Sequence, residues 1–293
     1  MRPSRSDLGP FRGIWHHPYV DLEPYLDLTP LADIDEEIVW ALAHLPVDCT
    51  GGSHKTMGIV PPSFEHDPYV DYGQVIAGFS RQEFARFVAL SDTPDEFDLD
   101  LQSDYHFGEE RDFPLSRKQV LYLKFKYRVY FPWKAFYELI PTAGWDDKTT
   151  GVGKAFTSEA LRWFPRLVAY VKTLPFAEVG RCNILGLEAN DHGTIHTDQG
   201  HTDQGHTDQG HTDQGAEEKP FVDHFITLCP RGDKRLFLWD ETNQRELFIG
   251  RHAYWFNDND FHGVAADPYF RYSIRVDGIF RTDFLDRLAR DHA

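Results

Sequence analysis

Apolar positions change their period along this chain. From Asp33 to Ala43, Ile34, Ile38, Val39, Ala41 and Leu42 recur at helical spacing, and Pro46 stops the pattern. Ser80-Arg-Gln-Glu83 is a capping box opening a helix through Phe84, Phe87, Val88 and Leu90. The apolar positions from Ser116 to Tyr130 favour a helix over a strand. Thr157 caps another helix through Leu161, Phe164, Leu167, Val168 and Val171, which Pro165 should bend or restart. Residues 91–114, with nine acidic side chains among turn formers, read as a loop, a candidate lid. From Phe176 onward the texture becomes short alternating segments: Cys182–Ala189, Phe221–Leu228, Arg235–Trp239, Arg245–Ile249, Ala253–Phe256 and Tyr269–Phe280. Turn clusters such as Pro-Arg-Gly-Asp and Asn-Asp-Asn-Asp separate them. A final helix, Asp283 to Arg290, reads as a surface cap.

Many short strands joined by regular turns predict a sandwich or barrel, here a jelly roll (double-stranded β-helix). The expected fold class is α+β: a jelly-roll core with packing helices over 156–293, preceded by an elaborated N-terminal region over 1–155. Composition agrees. A chain of 293 residues, 41% hydrophobic and 15% aromatic, has enough apolar surface for one substantial core. There is no run of eighteen apolar residues and no apolar core near the polar N-terminus. Three scattered cysteines, Cys49, Cys182 and Cys229, form neither a disulfide framework nor a zinc motif. The expectation is a soluble cytoplasmic protein with no membrane partner. A formal charge of −17 also opposes nucleic-acid binding, which needs clustered Lys and Arg. A small neutral or cationic substrate is compatible with it.

The candidate chemistry lies between Gly193 and Gly215, where Gly-Thr-Ile precedes four copies of His-Thr-Asp-Gln-Gly. Period five suits neither helix nor strand, so most of the tract is expected to be loop. One copy can still matter, because His and Asp two residues apart lie on one side of an extended strand. Two histidines and a carboxylate on one face of a metal form the iron(II) triad that leaves three positions open. His262, after an Asn257-Asp-Asn-Asp turn, is the candidate third ligand. A strand running through Ile195 into His196 favours the first copy, His196/Asp198. A short spacer to the next strand would favour the last, His211/Asp213. Loop lengthening is cheap, roughly 0.6 kcal/mol per doubling, so the upstream register takes precedence. Adjacent His16 and His17 face opposite ways on a strand and suit packing or surface roles. Gly51-Gly-Ser-His-Lys lacks the Gly-Lys-Ser/Thr ending of a phosphate loop.

Nine residues past His262 stands Arg271, then Ser273 and Arg275, all on one face of a strand. A guanidinium fork with a hydroxyl beside it suits a carboxylate. In this order of residues the chain resembles the iron(II)- and 2-oxoglutarate-dependent oxygenases, most closely their aspartyl/asparaginyl β-hydroxylase-like branch, over residues 177–280. Gly193-Thr-Ile-His-Thr-Asp matches the metal turn. Phe221-Val-Asp-His224-Phe-Ile-Thr-Leu matches the strand whose His faces the cosubstrate, although Val222 stands where that strand usually has Arg. Phe261-His-Gly-Val and Arg271 match the closing strands. The resemblance implies Fe(II) on His196, Asp198 and His262, and 2-oxoglutarate on Arg271 with His224 or Ser273. It also implies molecular oxygen as co-reactant, succinate and carbon dioxide as by-products, and hydroxylation of an amino acid or related small molecule. An acid in the triad favours hydroxylation over halogenation. Two rivals are a cupin-like metal enzyme without 2-oxoglutarate and a silent jelly roll whose His/Asp repeat binds metal.

Overall fold

The computed structural model describes residues 11–45, 72–97, 115–127, 135–142, 147–187, 189, 192–198 and 222–292. Cys49, the Gly51–Lys55 segment, residues 98–114 of the acidic stretch and the repeat copies from His201 to Asp213 lie outside these. In chain order the elements are β1 (Tyr19–Asp21), α1 (Leu31–His44), α2 (Tyr72–Ala77), α3 (Arg81–Val88), α4 (Arg117–Tyr127), β2 (Ala135–Ile140), α5 (Ser158–Trp163) and α6 (Pro165–Val171). They continue with β3 (Phe176–Leu187), β4 (Gly193–His196), β5 (His224–Leu228), β6 (Leu236–Asp240), β7 (Arg245–Phe248), β8 (Ala253–Phe256), β9 (His262–Val264), β10 (Arg271–Phe280) and α7 (Thr282–His292).

The fold is α+β, built on two antiparallel sheets. One has six strands in the order β1-β8-β5-β10-β3-β2; the other has four, β4-β9-β6-β7. Local chemistry set several boundaries where the periodicity put them. Ser80 accepts the Glu83 N–H while the Glu83 carboxylate accepts the Ser80 N–H, so the capping box opens α3. Thr157 caps α5, and Pro165 breaks the helical run so that α6 starts anew. Strand β2 was not foreseen; its Ala-Phe-Tyr-Glu-Leu-Ile order has no clean alternation.

Alternation along β10 sorts its two faces. Tyr272, Ile274 and Val276 point outward into the main core, and the Tyr272 hydroxyl donates to Asp35 of α1 at 2.6 Å. Ser273, Arg275 and Asp277 point toward the four-stranded sheet. The core gathers Ile34, Ile38, Leu167, Val171, Phe284 and Leu288 from α1, α6 and α7 onto the outer sheet face. Terminal α7 therefore seals core as well as capping surface. Val20, Leu139 and Ile140 share this core, β1 pairs with β8, and β2 pairs with β3. Both edge strands of the six-stranded sheet, β1 and β2, thus come from the region before residue 155. A separate small cluster, with Ile76, Phe87, Leu115, Val120 and Leu123, joins α2, α3 and α4. No helix among the described residues is long and apolar enough to cross a membrane.

Candidate metal centre and its cavity

Strand β4 pairs antiparallel with β9, and the register sets His196 directly opposite His262. Close approach of the two strands depends on Gly263, where a Cβ would stand 2.7 Å from the Gly193 carbonyl oxygen and 2.7 Å from the Phe237 ring. The imidazoles lie with centroids 4.5 Å apart. Asp198 sits just beyond the strand end, where its N–H donates to the Asp258 carbonyl at 2.9 Å. Its Oδ1 lies 3.5 Å from Nε2 of His196 and 3.5 Å from Nε2 of His262. One ligand atom from each residue falls within 4.8 Å of the others.

These donors fit a divalent cation. All three side chains are at most 6% exposed. The Asp260 carbonyl accepts from His262 Nδ1 at 2.9 Å, which fixes the ring and leaves Nε2 as the nitrogen that faces Asp198. Metal-bound N and O atoms sit at about 2.0–2.2 Å, so ligands about 3–3.5 Å apart can share one ion. Burial alone would raise the Asp198 carboxyl, but hydrogen bonds from His196 and His262 and the charge of Arg275 hold it well below the usual range. Burial pushes His262 down, and the Asp198 carboxylate more than reverses this. A carboxylate kept ionised between two imidazoles is the charge state a cation needs.

A cavity extends from the two histidines between the sheets. Leu185, Leu187, Thr227, Phe256, Ser273 and Arg275 line it from the six-stranded sheet, and Gly193, Leu236 and Val264 from the other. Lys234 also lines it and is buried. Its ammonium donates to Ser273 Oγ at 2.8 Å and to the Leu185 carbonyl at 3.2 Å. Among the described residues no carboxylate pairs with it, and burial pushes it down to about 8.

The expected site residues divide accordingly. His196, Asp198 and His262 come together, and Ser273 lines the cavity. Arg271 is fully buried but stands behind the lining. Its guanidinium donates to the Ala265 carbonyl at 2.7 Å and the Tyr269 carbonyl at 3.3 Å, and faces Asp267 at 3.4 Å. His224 is on the other face of β5, because Phe225 and Thr227 are the residues that face inward. It stacks on Phe280 with centroids 4.9 Å apart and accepts the Phe280 N–H at 3.2 Å, in a packing role. His211 and Asp213 lie outside the described residues. His16 is exposed, with a left-handed φ of 68°, and the His17 ring meets His292 edge-on at 5.4 Å.

Lys234 was overlooked because Pro230-Arg-Gly-Asp-Lys reads as a charged turn. Strand alternation does not reveal it, because β6 begins at Leu236 and the Leu236 N–H turns back onto the Lys234 carbonyl at 2.9 Å. No known family model matches this chain, and no curated protein matches its sequence.

Proposed function

We propose that this protein is a non-haem iron(II)- and 2-oxoglutarate-dependent oxygenase that hydroxylates an amino acid or a small molecule derived from one. The observation that supports this reading is a buried two-histidine, one-carboxylate group at the head of a cavity that also holds a buried lysine, Lys234, with no carboxylate partner among the described residues. Two antiparallel sheets facing each other across that cavity are the arrangement of a jelly roll, which we take as the finer description of the fold.

His196, Asp198 and His262 would hold the iron on one face, which leaves three positions open. Bound there, iron supplies the oxygen chemistry: one oxygen atom of O₂ goes to the substrate C–H bond, and the other to 2-oxoglutarate, which leaves as succinate and carbon dioxide. The chain's own part is positional. Lys234 and Ser273 receive the far carboxylate of 2-oxoglutarate, in place of the Arg271 expected from the sequence. A charge-assisted bond of this kind contributes about 1.5–3 kcal/mol. Leu185, Leu187, Phe256 and Val264 keep water from the cosubstrate. Asp198 occupies the position that a halide-transferring relative leaves to Gly or Ala, so hydroxylation is the expected outcome. Buried free thiols at Cys182 and Cys229 suit a reducing compartment such as the cytoplasm.

The test is succinate release by the purified protein with Fe(II), 2-oxoglutarate and oxygen across a panel of amino acids and their derivatives. Succinate should require both iron and 2-oxoglutarate and vanish in His262→Ala. A protein that binds iron through the triad yet neither binds 2-oxoglutarate nor forms succinate would instead be a cupin-like metal enzyme.

A further inference from the structure

Behind Asp198 runs a line of buried charges that leads away from the cavity. Arg275 donates from one terminal nitrogen to Asp198 Oδ2 at 2.9 Å, from the other to Asp258 Oδ2 at 2.6 Å, and from Nε to Asp277 Oδ1 at 2.8 Å. Lys148 reaches the same Asp258 Oδ2 at 3.2 Å and Asp223 Oδ2 at 2.8 Å. Asp258 therefore grips the metal ligand twice, through its carbonyl on the Asp198 N–H and through Arg275 on Oδ2. With Oδ2 occupied, only Oδ1 is turned to the histidines.

Lys148 belongs to neither sheet. It is carried by residues 147–154, which lie against the outer end of β3. The Gly151 N–H and the Thr150 hydroxyl donate to Glu178 Oε2 at 3.0 and 3.3 Å, and Lys154 closes the turn on Asp147 Oδ1 at 2.9 Å. At Gly180 any Cβ would run into the Lys148 carbonyl, so glycine is what lets this segment approach β3. Asp258 is 2% exposed and stands near the carboxylates of Asp198 and Asp277 around one guanidinium. Arg181 also holds Asp277, from Nε to Oδ2 at 2.9 Å. Without the ammonium, two cations would serve three buried carboxylates, and the desolvated excess charge on Asp258 would pull Arg275 away from Asp198.

We propose that Lys148 is a positioning residue of the metal centre. Through Asp258 and Arg275 it holds Asp198 with Oδ1 toward the ion, so that docking of residues 147–154 and metal occupancy favour each other. This rests on the metal reading above but not on the oxygenase chemistry. Coupling of two sites is reciprocal: if the docked segment tightens metal binding, metal must in turn protect the segment.

The experiment is Co(II) binding to the full chain, followed anaerobically by calorimetry and by the visible spectrum of the bound ion. Lys148→Met should weaken Co(II) affinity by about 10–100-fold, the usual range for a group that orients a ligand. Lys148→Arg should restore most of it. In the unmodified protein, Co(II) should also slow hydrogen exchange at the Gly151, Val152 and Lys154 amides. A purely structural lysine would lower thermal stability without moving the Co(II) dissociation constant. Unchanged affinity in folded Lys148→Met overturns the proposal. If that variant does not fold, exchange in the unmodified protein decides alone, and amides indifferent to Co(II) overturn it. An unmodified protein that binds no Co(II) defeats the metal centre itself, an outcome distinct from normal binding with an indifferent Lys148.

Discussion

Two buried cations line the same cavity, and their surroundings treat them in opposite ways. Arg275 is met by three carboxylates within 2.9 Å, and although burial works against its charge, these hold it more firmly protonated than an ordinary arginine. Lys234 is met by one hydroxyl and one carbonyl, and burial pushes it down to about 8. A buried charge with its counter-charges in place belongs to the framework, and its removal leaves the partners stranded. A buried charge without one is destabilising alone and becomes favourable only when an anion arrives. Arg275 thus reads as structure and Lys234 as a waiting half of a binding site.

The largest effect should come from the group that Arg275 serves. Asp198→Ala is expected to eliminate metal binding in a titration calorimeter, whereas Asp203→Ala, in the next copy of the repeat, should bind as the unmodified protein does. Equal loss in both would mean that the repeat acts as a whole. Next in size, Arg275→Met takes the guanidinium from Asp198 and leaves Asp258 to Lys148 and Asp277 to Arg181 alone, and should lower unfolding free energy by about 3–5 kcal/mol in urea. A loss under about 1 kcal/mol would erase the contrast between the two cations.

Lys234→Met should do the reverse. With a desolvated charge gone, stability should rise, by an amount on the order of 1–3 kcal/mol. Affinity for 2-oxoglutarate should meanwhile fall by roughly 10–100-fold, the worth of one charge-assisted bond. A variant that lost stability and kept its anion affinity would return the carboxylate to Arg271. The smallest effect is the pH dependence of the same group. Its folded value of about 8 lies below the ordinary 10.5, so between them the unfolded chain holds the extra proton. Lys234 therefore adds a component of stability that grows as pH rises through that window. Anion affinity should move the other way and weaken above about pH 8 as the ammonium is lost. Parallel titrations of the unmodified protein and Lys234→Met check this, since only the former should show the step.

Legibility followed the range of the forces involved. Capping at Ser80 and Thr157, the break at Pro165 and the strands from β3 to β10 depend on neighbours a few residues away, and the chain displays them. Strand β2 was missed because its partner β3 lies some forty residues on and its own pattern does not alternate. The expectation for Arg271 rests on strand spacing and that for His224 on the family resemblance, and neither determines what the side chain reaches. Arg271 turned to the Ala265 carbonyl, and Phe225 took the inward direction that would have served His224.

What the sequence by itself determined is a set of local identities: α+β texture, a His-x-Asp pair leaving a strand, a distal His262, and an inward row at Ser273 and Arg275. These survive because period-two alternation and capping are short-range. Only the tertiary structure decided that His196 faces His262 across a glycine-permitted pairing, that Lys148 reaches Asp258 behind the candidate metal site, and that Lys234 is buried with no carboxylate partner among the described residues. Each of these joins residues from strands or segments distant in the chain. Whether a charge is paired or alone depends on which groups share its low-dielectric surroundings, and residue order does not contain that information.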